Sequence, residues 1–264
     1  MTNKISSNTA NCPLITVITV VFNGVLSIRR TIESVLHQKS NNIEYIIVDG
    51  GSTDGTLDII KEYAGKIDYL ISEPDNGIYD AMNKGIRFSN GKYLLFLNAG
   101  DHLVADIDKL LDILSGDFVL VYGKANMVMP GGELSYVKGR ALRSHRELHK
   151  GMRICHQAIF FRRDLIGFFD TTYQLIADRV KVHDIIRSHG IDRTFFVDLP
   201  IADYMEGGIS RQYYRELKEE EFRFLISMGR NLYAIYRKIG WFYKRNLKEP
   251  LGSFVKCFSR GPVR

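Results

Sequence analysis

Residues Ile15–Phe22 read ITVITVVF, a β-branched and almost unbroken apolar run. Such a run predicts a strand buried on both faces, because a half-exposed strand would alternate apolar and polar residues. Working outward, Ser27 is placed to cap a helix whose apolar positions Ile28, Ile32, Val35 and Leu36 share one face. Glu44–Val48 (EYIIV) reads as a second strand running into Asp49-Gly-Gly-Ser-Thr-Asp-Gly55, which is turn chemistry. A helix follows with Leu57, Ile60 and Tyr63 inward, then a strand over Ile67–Ser72 and a helix over Gly77–Ser89. Gly91–Leu97 (GKYLLFL) is a fourth strand, ending at Asn98-Ala-Gly-Asp101. Strand alternating with helix through short links predicts an α/β fold with a doubly wound, parallel sheet flanked by helices.

Beyond Asp101 the pattern loosens. Phe118–Tyr122, Ala158–Phe161 and Phe195–Leu199 read as strands, Pro130-Gly-Gly-Glu133 as a hairpin turn, and Leu175–His189 as a helix. The whole chain has 264 residues, 45% hydrophobic and 25% charged, which excludes a disordered or collagenous chain. Cys12, Cys155 and Cys257 are odd in number and far apart, so neither a disulfide framework nor a zinc knuckle is expected. His145, His149 and His156 lack ligand spacing with other donors. No apolar run approaches the ~20 residues of a spanning helix, and the polar start lacks a secretion signal, so the cytoplasm is the expected address.

The charge is unevenly spread. Residues 211–264 carry 13 basic and 5 acidic residues, whereas residues 1–210 carry 23 and 25. The expected division is therefore a domain over 1–210 and a basic, aromatic-rich helical extension over 211–264. In that extension Leu225, Leu232, Ile235, Ile239 and Phe242 approximate helical spacing beside Arg230, Arg237, Lys238, Lys244 and Arg245. Basic and aromatic side chains together suit an interfacial helix on anionic lipid, while the same pattern also describes a packed helix with a solvated basic face. No nucleic-acid-binding module is recognisable.

In doubly wound sheets ligands sit at the carboxyl ends of the strands, which here carry Asn23, Asp49 and Asp101. Two carboxylates at separate strand ends point to a cation or a ribose. Alternatively, Asp49 opens a turn and Asp101 caps a helix beginning near Leu103. Asp49 also stands where a dinucleotide-binding enzyme places its ribose acid. The first turn, however, has only Gly24 and no Gly-x-Gly-x-x-Gly loop.

The stretches Thr16–Asn23 (TVITVVFN) and Val48–Thr56 (VDGGSTDGT), with the strand ending near Asp101, resemble family 2 glycosyltransferases of the GT-A fold. The block Ser72–Gly85 (SEPDNGIYDAMNKG) resembles the branch that assembles bacterial surface polysaccharides, including colanic-acid-type enzymes. The resemblance is dense over residues 14–103, traceable to about Ser210 and absent beyond. It implies that Thr19, Phe22 and Asp49 contact the base and ribose of a nucleotide-sugar, and that Asp80 and Asn83 help hold its ribose or phosphates. The metal motif falls on Asn98-Ala-Gly-Asp101, with Asp101 matching the carboxylate that holds Mg²⁺ or Mn²⁺. Here the family's other acids are Asn98 and Gly100. Mg²⁺ tolerates few carboxylates when substrate phosphates supply oxygens.

The resemblance also implies a general base at Asp178, in Ile176-Ala-Asp-Arg-Val-Lys181, with Asp184 as fallback; the acid expected before Asp178 is Ala177. His156, in the acceptor-side segment His156-Gln157, would orient a donor phosphate or the acceptor, or be a satisfied buried histidine. Gly207-Gly-Ile-Ser210 resembles a loop that closes over the donor phosphates. The Gln-x-x-Arg-Trp signature of processive synthases is absent, which favours transfer of a single sugar. The implied activity is inverting transfer from a UDP- or GDP-linked sugar to a saccharide on a polyprenyl diphosphate, at the inner face of the plasma membrane. The alternative is a catalytically degenerate relative that scaffolds a membrane assembly complex.

Overall fold

A computed structural model describes residues 2–4, 12–207 and 213–247. The chain divides into two compact units, Met1–Ile209 and Ser210–Arg264. In the first unit the elements are β1 (Thr2–Lys4), β2 (Ile15–Val21), α1 (Ile28–His37), β3 (Ile43–Asp49), α2 (Thr56–Glu62), β4 (Tyr69–Ser72), α3 (Ile78–Phe88) and β5 (Tyr93–Asn98). They continue with β6 (His102–Leu103), α4 (Leu111–Ser115), β7 (Leu120–Val128), β8 (Leu134–Lys138), β9 (Ile159–Arg162), α5 (Arg163–Ile166), α6 (Ala177–His189) and β10 (Thr194–Met205). The second unit contains α7 (Tyr214–Ser227) and α8 (Asn231–Leu247).

The described strands form one sheet in the order β1-β4-β3-β2-β5-β9-β7-β10-β6, with β8 paired to the far half of β7. Strands β4, β3, β2 and β5 are parallel. Every residue of β2 is buried, as its sequence requires. Its side chains sort by the two-residue period into two cores. Ile15, Val17 and Val21 pack with Ile28, Ile32 and Val35 of α1 on one face. Ile18 and Val20 pack with Tyr79, Met82 and Ile86 of α3 on the other.

The sheet is mainly parallel, as expected, and its antiparallel pairings lie largely in the second half. β9 runs antiparallel between β5 and β7, and β10 is parallel to β7 but antiparallel to β6. The sheet is mainly parallel on one side of β5 and mixed on the other. No helix starts at Leu103: Asp101 leads into β6, and the next helical segment is a 3₁₀ turn over Ile107–Leu110. Ser27 precedes α1 but gives it no side-chain cap, because its hydroxyl donates to the Gly24 carbonyl.

Gly85 marks the closest approach of α3 to β2. A Cβ added there would lie 2.4 Å from Ile18 Cγ2, a branch that cannot swing away without repacking the strand. Gly85→Ala is therefore expected to destabilise the fold by about 1–3 kcal/mol despite alanine's better helix propensity. Chemical denaturation of the variant checks this.

Candidate active site at the sheet's switch point

The chain moves from β2 through β3 to β4 on one side, then returns to place β5 on the other side of β2. That reversal opens a crevice beyond the carboxyl ends of β2 and β5. Phe22 stands at the end of β2 with 64% of its surface exposed. The loops after β2 and β3 are stitched together: Asn23 N–H donates to Ser52 Oγ at 2.8 Å and Gly24 N–H to Thr56 Oγ1 at 2.9 Å. Val25 N–H donates to Asp54 Oδ2 at 3.1 Å, and Asn23 Oδ1 accepts from Thr53 N–H at 2.9 Å. The polar residues of the GGSTDGT turn thus satisfy backbone donors of the neighbouring loop.

Beyond β5, Asn98-Ala-Gly-Asp101 is a tight turn closed by Asp101 N–H donating to the Asn98 carbonyl at 3.0 Å. Gly100 sits at its third position with φ +105°, where a residue with a Cβ is strained. That backbone explains the missing acid at position 100. Asp101 is only 4% exposed, and its oxygens accept from Met205 N–H at 3.0 Å and Gln157 Nε2 at 2.8 Å. Burial pushes its pKa up to about 6, against the opposing pull of those donors and of nearby His156.

The antiparallel run of β9 beside β5 brings the residues just before β9 to this same end of the sheet. They form a 3₁₀ turn, His156–Ala158. Gln157 holds Asp101, while His156 reaches the other way. Its Nδ1 lies 2.9 Å from Asp178 Oδ2 and its Nε2 lies 3.4 Å from Asn98 Nδ2. The His156 and Asp178 side chains are 15% and 13% exposed. Asp178 stands in the first turn of α6, and its Oδ1 also accepts from Tyr79 O–H at 3.0 Å and from Arg179 N–H at 2.8 Å. Burial alone would raise its pKa, but the His156 bond and charge, with those donors, hold it below the usual carboxylate value.

Asn98, Asp101, His156 and Asp178 thus form one connected group, with Phe22 at the end of the neighbouring strand. Asp49 closes β3; its oxygens accept from Ser52 N–H and Ser72 O–H, so it organises the turn as well as the strand end. Asp80, in the first turn of α3, accepts from Asn76 N–H at 2.9 Å. Two expected donor contacts lie in the framework beneath. Thr19 has no exposed surface and its hydroxyl pairs with Tyr45 O–H inside the sheet. Asn83 spends its amide on the backbone N–H and C=O of Phe169. The fallback base Asp184 is half exposed and pairs with His183 beside it. Ala177 is buried in the core under α6. Of the expected closing loop only Gly207 lies among the described residues.

Tyr79 and Gln157 were not picked out by sequence, though each stands inside a quoted motif next to a residue that was. The histidine spacing also hid a cluster. The His145, His149 and His183 rings lie within 5.2–6.2 Å of one another, and His149 Nε2 is 3.2 Å from His183 Nε2.

Among the described residues no group of three or more His, Cys, Asp or Glu could hold a metal ion. The oxygens at the turn nonetheless suit a hard cation. Each Asp101 oxygen keeps a lone pair beyond its one hydrogen bond, and Asn98 Oδ1 is buried with no hydrogen-bond partner among the described residues. Such a set fits Mg²⁺ or Mn²⁺ only when a bound diphosphate completes the shell.

A family model described as Glycosyl transferase family 2 matches residues 16–169. The PGL/p-HBAD biosynthesis glycosyltransferase of Mycobacterium bovis (strain BCG / Pasteur 1173P2) is 36% identical over 176 residues, covering 63% of this chain and 67% of that protein. An uncharacterized glycosyltransferase of Mycobacterium tuberculosis (strain ATCC 25618 / H37Rv) is 33% identical over 178 residues, covering 64% and 67%. Among solved structures, S. aureus TarS 1-349 in complex with UDP superposes with TM-score 0.58 at 16% identity, covering 79% of this chain and 65% of that one. The mannosyltransferase PcManGT from Pyrobaculum calidifontis, in complex with GDP-Man and Mn²⁺, gives TM-score 0.61 at 16% identity, with coverages of 83% and 64%. These structural likenesses speak for the fold.

The raised pKa of Asp101 has a thermodynamic signature. Between the usual carboxylate value and about 6 the folded protein keeps a proton that the unfolded chain has released. Asp101 therefore makes unfolding easier as pH rises through that window. Against Asp101→Asn, which does not titrate, the wild type without metal should lose up to about 3 kcal/mol of relative stability between pH 4 and 6.5. Denaturant titrations of both proteins across that range measure it.

Proposed function

Because the chain belongs to glycosyl transferase family 2, we propose that it transfers one sugar from a UDP- or GDP-linked donor to a saccharide hydroxyl, with inversion at the anomeric carbon. The observation that carries this reading is the joined pair of sites: a buried carboxylate at the switch point, and a second carboxylate bonded to a histidine beside it. A diphosphate leaving group and an acceptor hydroxyl need these two kinds of chemistry. Relatives solved with UDP and with GDP-Man and Mn²⁺ support a nucleoside-diphospho-sugar as the donor class.

In this reading Phe22 stacks on the nucleobase, and Asp49 and Asp80 face the ribose and phosphates. Asp101 and Asn98 would hold Mg²⁺ or Mn²⁺, which when bound neutralises charge on the departing diphosphate. Asp178 is the general base that takes the proton of the acceptor hydroxyl. Calorimetry with UDP and GDP tests the donor side. One nucleotide should bind only with Mn²⁺, and Asp101→Asn should lose that binding. Asp178→Asn should keep it while transfer falls on the order of 10²-fold or more. If folded protein binds neither nucleotide, the scaffold alternative takes its place.

The acceptor in this reading is a saccharide on a polyprenyl diphosphate, which puts the enzyme at the inner face of the plasma membrane, in surface polysaccharide assembly. No helix among the described residues is long and apolar enough to cross a membrane. Support for surface attachment comes from α8, where Leu232, Ile235, Tyr236 and Ile239 form an exposed stripe, Leu232 and Tyr236 at 86% and 72%. The surrounding residues 211–264 hold 13 basic against 5 acidic side chains, complementary to anionic lipid. Leu232→Glu with Ile239→Glu should release the protein from phosphatidylglycerol vesicles in a flotation assay. Undiminished flotation of the double variant would overturn the role of this stripe, and a wild type that does not float would remove the membrane from the account.

A further inference from the structure

We propose that the cavity between α7 and α8 binds the phosphodiester headgroup of one anionic phospholipid, with Lys238 as the charge that meets the phosphate. The inference rests on the membrane-surface reading above and deepens it, from an attraction spread over the basic residues to a single site.

The two helices form a hairpin joined through residues 228–230, where Arg230 N–H donates back to the Leu225 carbonyl at 3.0 Å. Phe224, Leu225 and Ala234 are buried between them. Side chains of both helices also border a cavity of about 530 Å³, a volume in the range of small-molecule sites. Its walls include the rings of Tyr214, Phe222, Tyr236 and Trp241.

The charges on these walls do not cancel. Three cations, Lys218, Arg237 and Lys238, stand against two carboxylates, Glu219 and Glu221. Glu221 takes both Lys218, at 2.8 Å, and Arg237, at 3.4 Å. Glu219 lies 3.4 Å from Arg215, on its own helix. Lys238 is exposed and pairs with no carboxylate among the described residues; its ammonium stands 4.4 Å from the centre of the Phe222 ring. The one positive charge left over matches the single negative charge of a phosphodiester.

The class of ligand follows from what adjoins the cavity. Tyr236 and Ile239 line it and also belong to the exposed apolar stripe of α8. A headgroup in the cavity would therefore leave its acyl chains along that stripe, the side which the reading above turns to the bilayer. A free phosphate would use the charge and leave the stripe bare. A zwitterionic headgroup fits less well. Aromatic walls can hold a quaternary ammonium, but the Phe222 and Tyr214 rings already carry Lys238 and Lys218, at 4.4 and 5.2 Å. A further cation there would meet like charge, whereas a phosphodiester finds in Lys238 the donor of a charge-assisted hydrogen bond.

Trp241 is the one tryptophan of the chain and lines the cavity, so intrinsic fluorescence of the full chain reports on this place. Monomeric dihexanoyl-phosphatidylglycerol should change that emission along a saturating curve. Dihexanoyl-phosphatidylcholine and inorganic phosphate should not do so over the same concentrations. Lys238→Met should raise the apparent Kd for the phosphatidylglycerol on the order of tenfold, and Lys238→Arg should hold it near the wild-type value. Arg230→Met removes the same charge from the hairpin outside the cavity and should shift the Kd by less than about twofold. The site is overturned if the two short-chain lipids titrate alike, if phosphate alone reproduces the curve, or if Arg230→Met weakens binding as much as Lys238→Met. A wild type that floats with phosphatidylglycerol vesicles but gives no saturating titration keeps the membrane reading and overturns this site. A wild type that does neither sinks both.

Discussion

Asp101 is a carboxylate buried at the point where the sheet reverses direction, and satisfying that charge constrains the elements around it. An isolated carboxylate in an apolar interior is strongly disfavoured, so its oxygens must meet donors. Here the donors come from residues 157 and 205, remote in sequence. A wholly parallel sheet would not deliver the first of them. Gln157 arrives because β9 runs antiparallel to β5 and so begins where β5 ends. Met205 arrives because β10, pairing with β6, carries its own end past the same turn. The change from parallel to mixed pairing is thus what makes a buried carboxylate tolerable there, and its satisfaction is still incomplete, since the pKa remains raised.

The first half of this fold was legible in the sequence because its signals are local. The runs ITVITVV and IEYIIVD are buried throughout, and a continuous apolar run is what such burial demands. The helices between them carry one apolar face each. In the second half the strands near Phe118–Tyr122, Ala158–Phe161 and Phe195–Leu199 and the helix in Leu175–His189 were legible as elements, but the way the strands pair was not. β10 mixes buried and exposed positions, and the pairing of β7 and β10 depends on contacts that no local window contains. Asp101 illustrates the limit. As a residue type at the end of a turn it also reads as a helix cap, and only the donors from β10 and the 3₁₀ turn before β9 decide against that.

The candidate site divides in the same way. Asp101, Asp178 and His156 were named from motif positions, yet the bonds that join them were invisible. Tyr79 and Asp178 are 99 positions apart and meet through the packing of α3 beside α6. Thr19 and Asn83 show the opposite failure. Their motif positions suggest ligand contacts, but the Thr19 hydroxyl is buried against Tyr45 inside the sheet and the Asn83 amide is clamped on the Phe169 backbone. A motif specifies which residues recur together. It does not separate those that touch a ligand from those that hold the loops in place, and the GGSTDGT turn is mostly of the second kind.

One consequence of the 3₁₀ turn before β9 is that two adjacent residues serve the two halves of the site. Gln157 and His156 diverge, the first to Asp101 and the second to Asp178. Their chemistries differ in the way this division needs. The Gln157 amide is oriented by Cys155, whose thiol donates to Oε1 at 3.0 Å and so turns Nε2 toward Asp101. Burial pushes the Cys155 thiol up to about 12, so it stays a donor and the amide stays oriented throughout the neutral range. The direction of the contact to Asp101 is therefore fixed. His156, one residue earlier, turns its ring to Asp178 instead. A displacement of this turn would move both contacts at once. The surroundings of Asp101 and of Asp178 are thereby coupled through a single peptide bond.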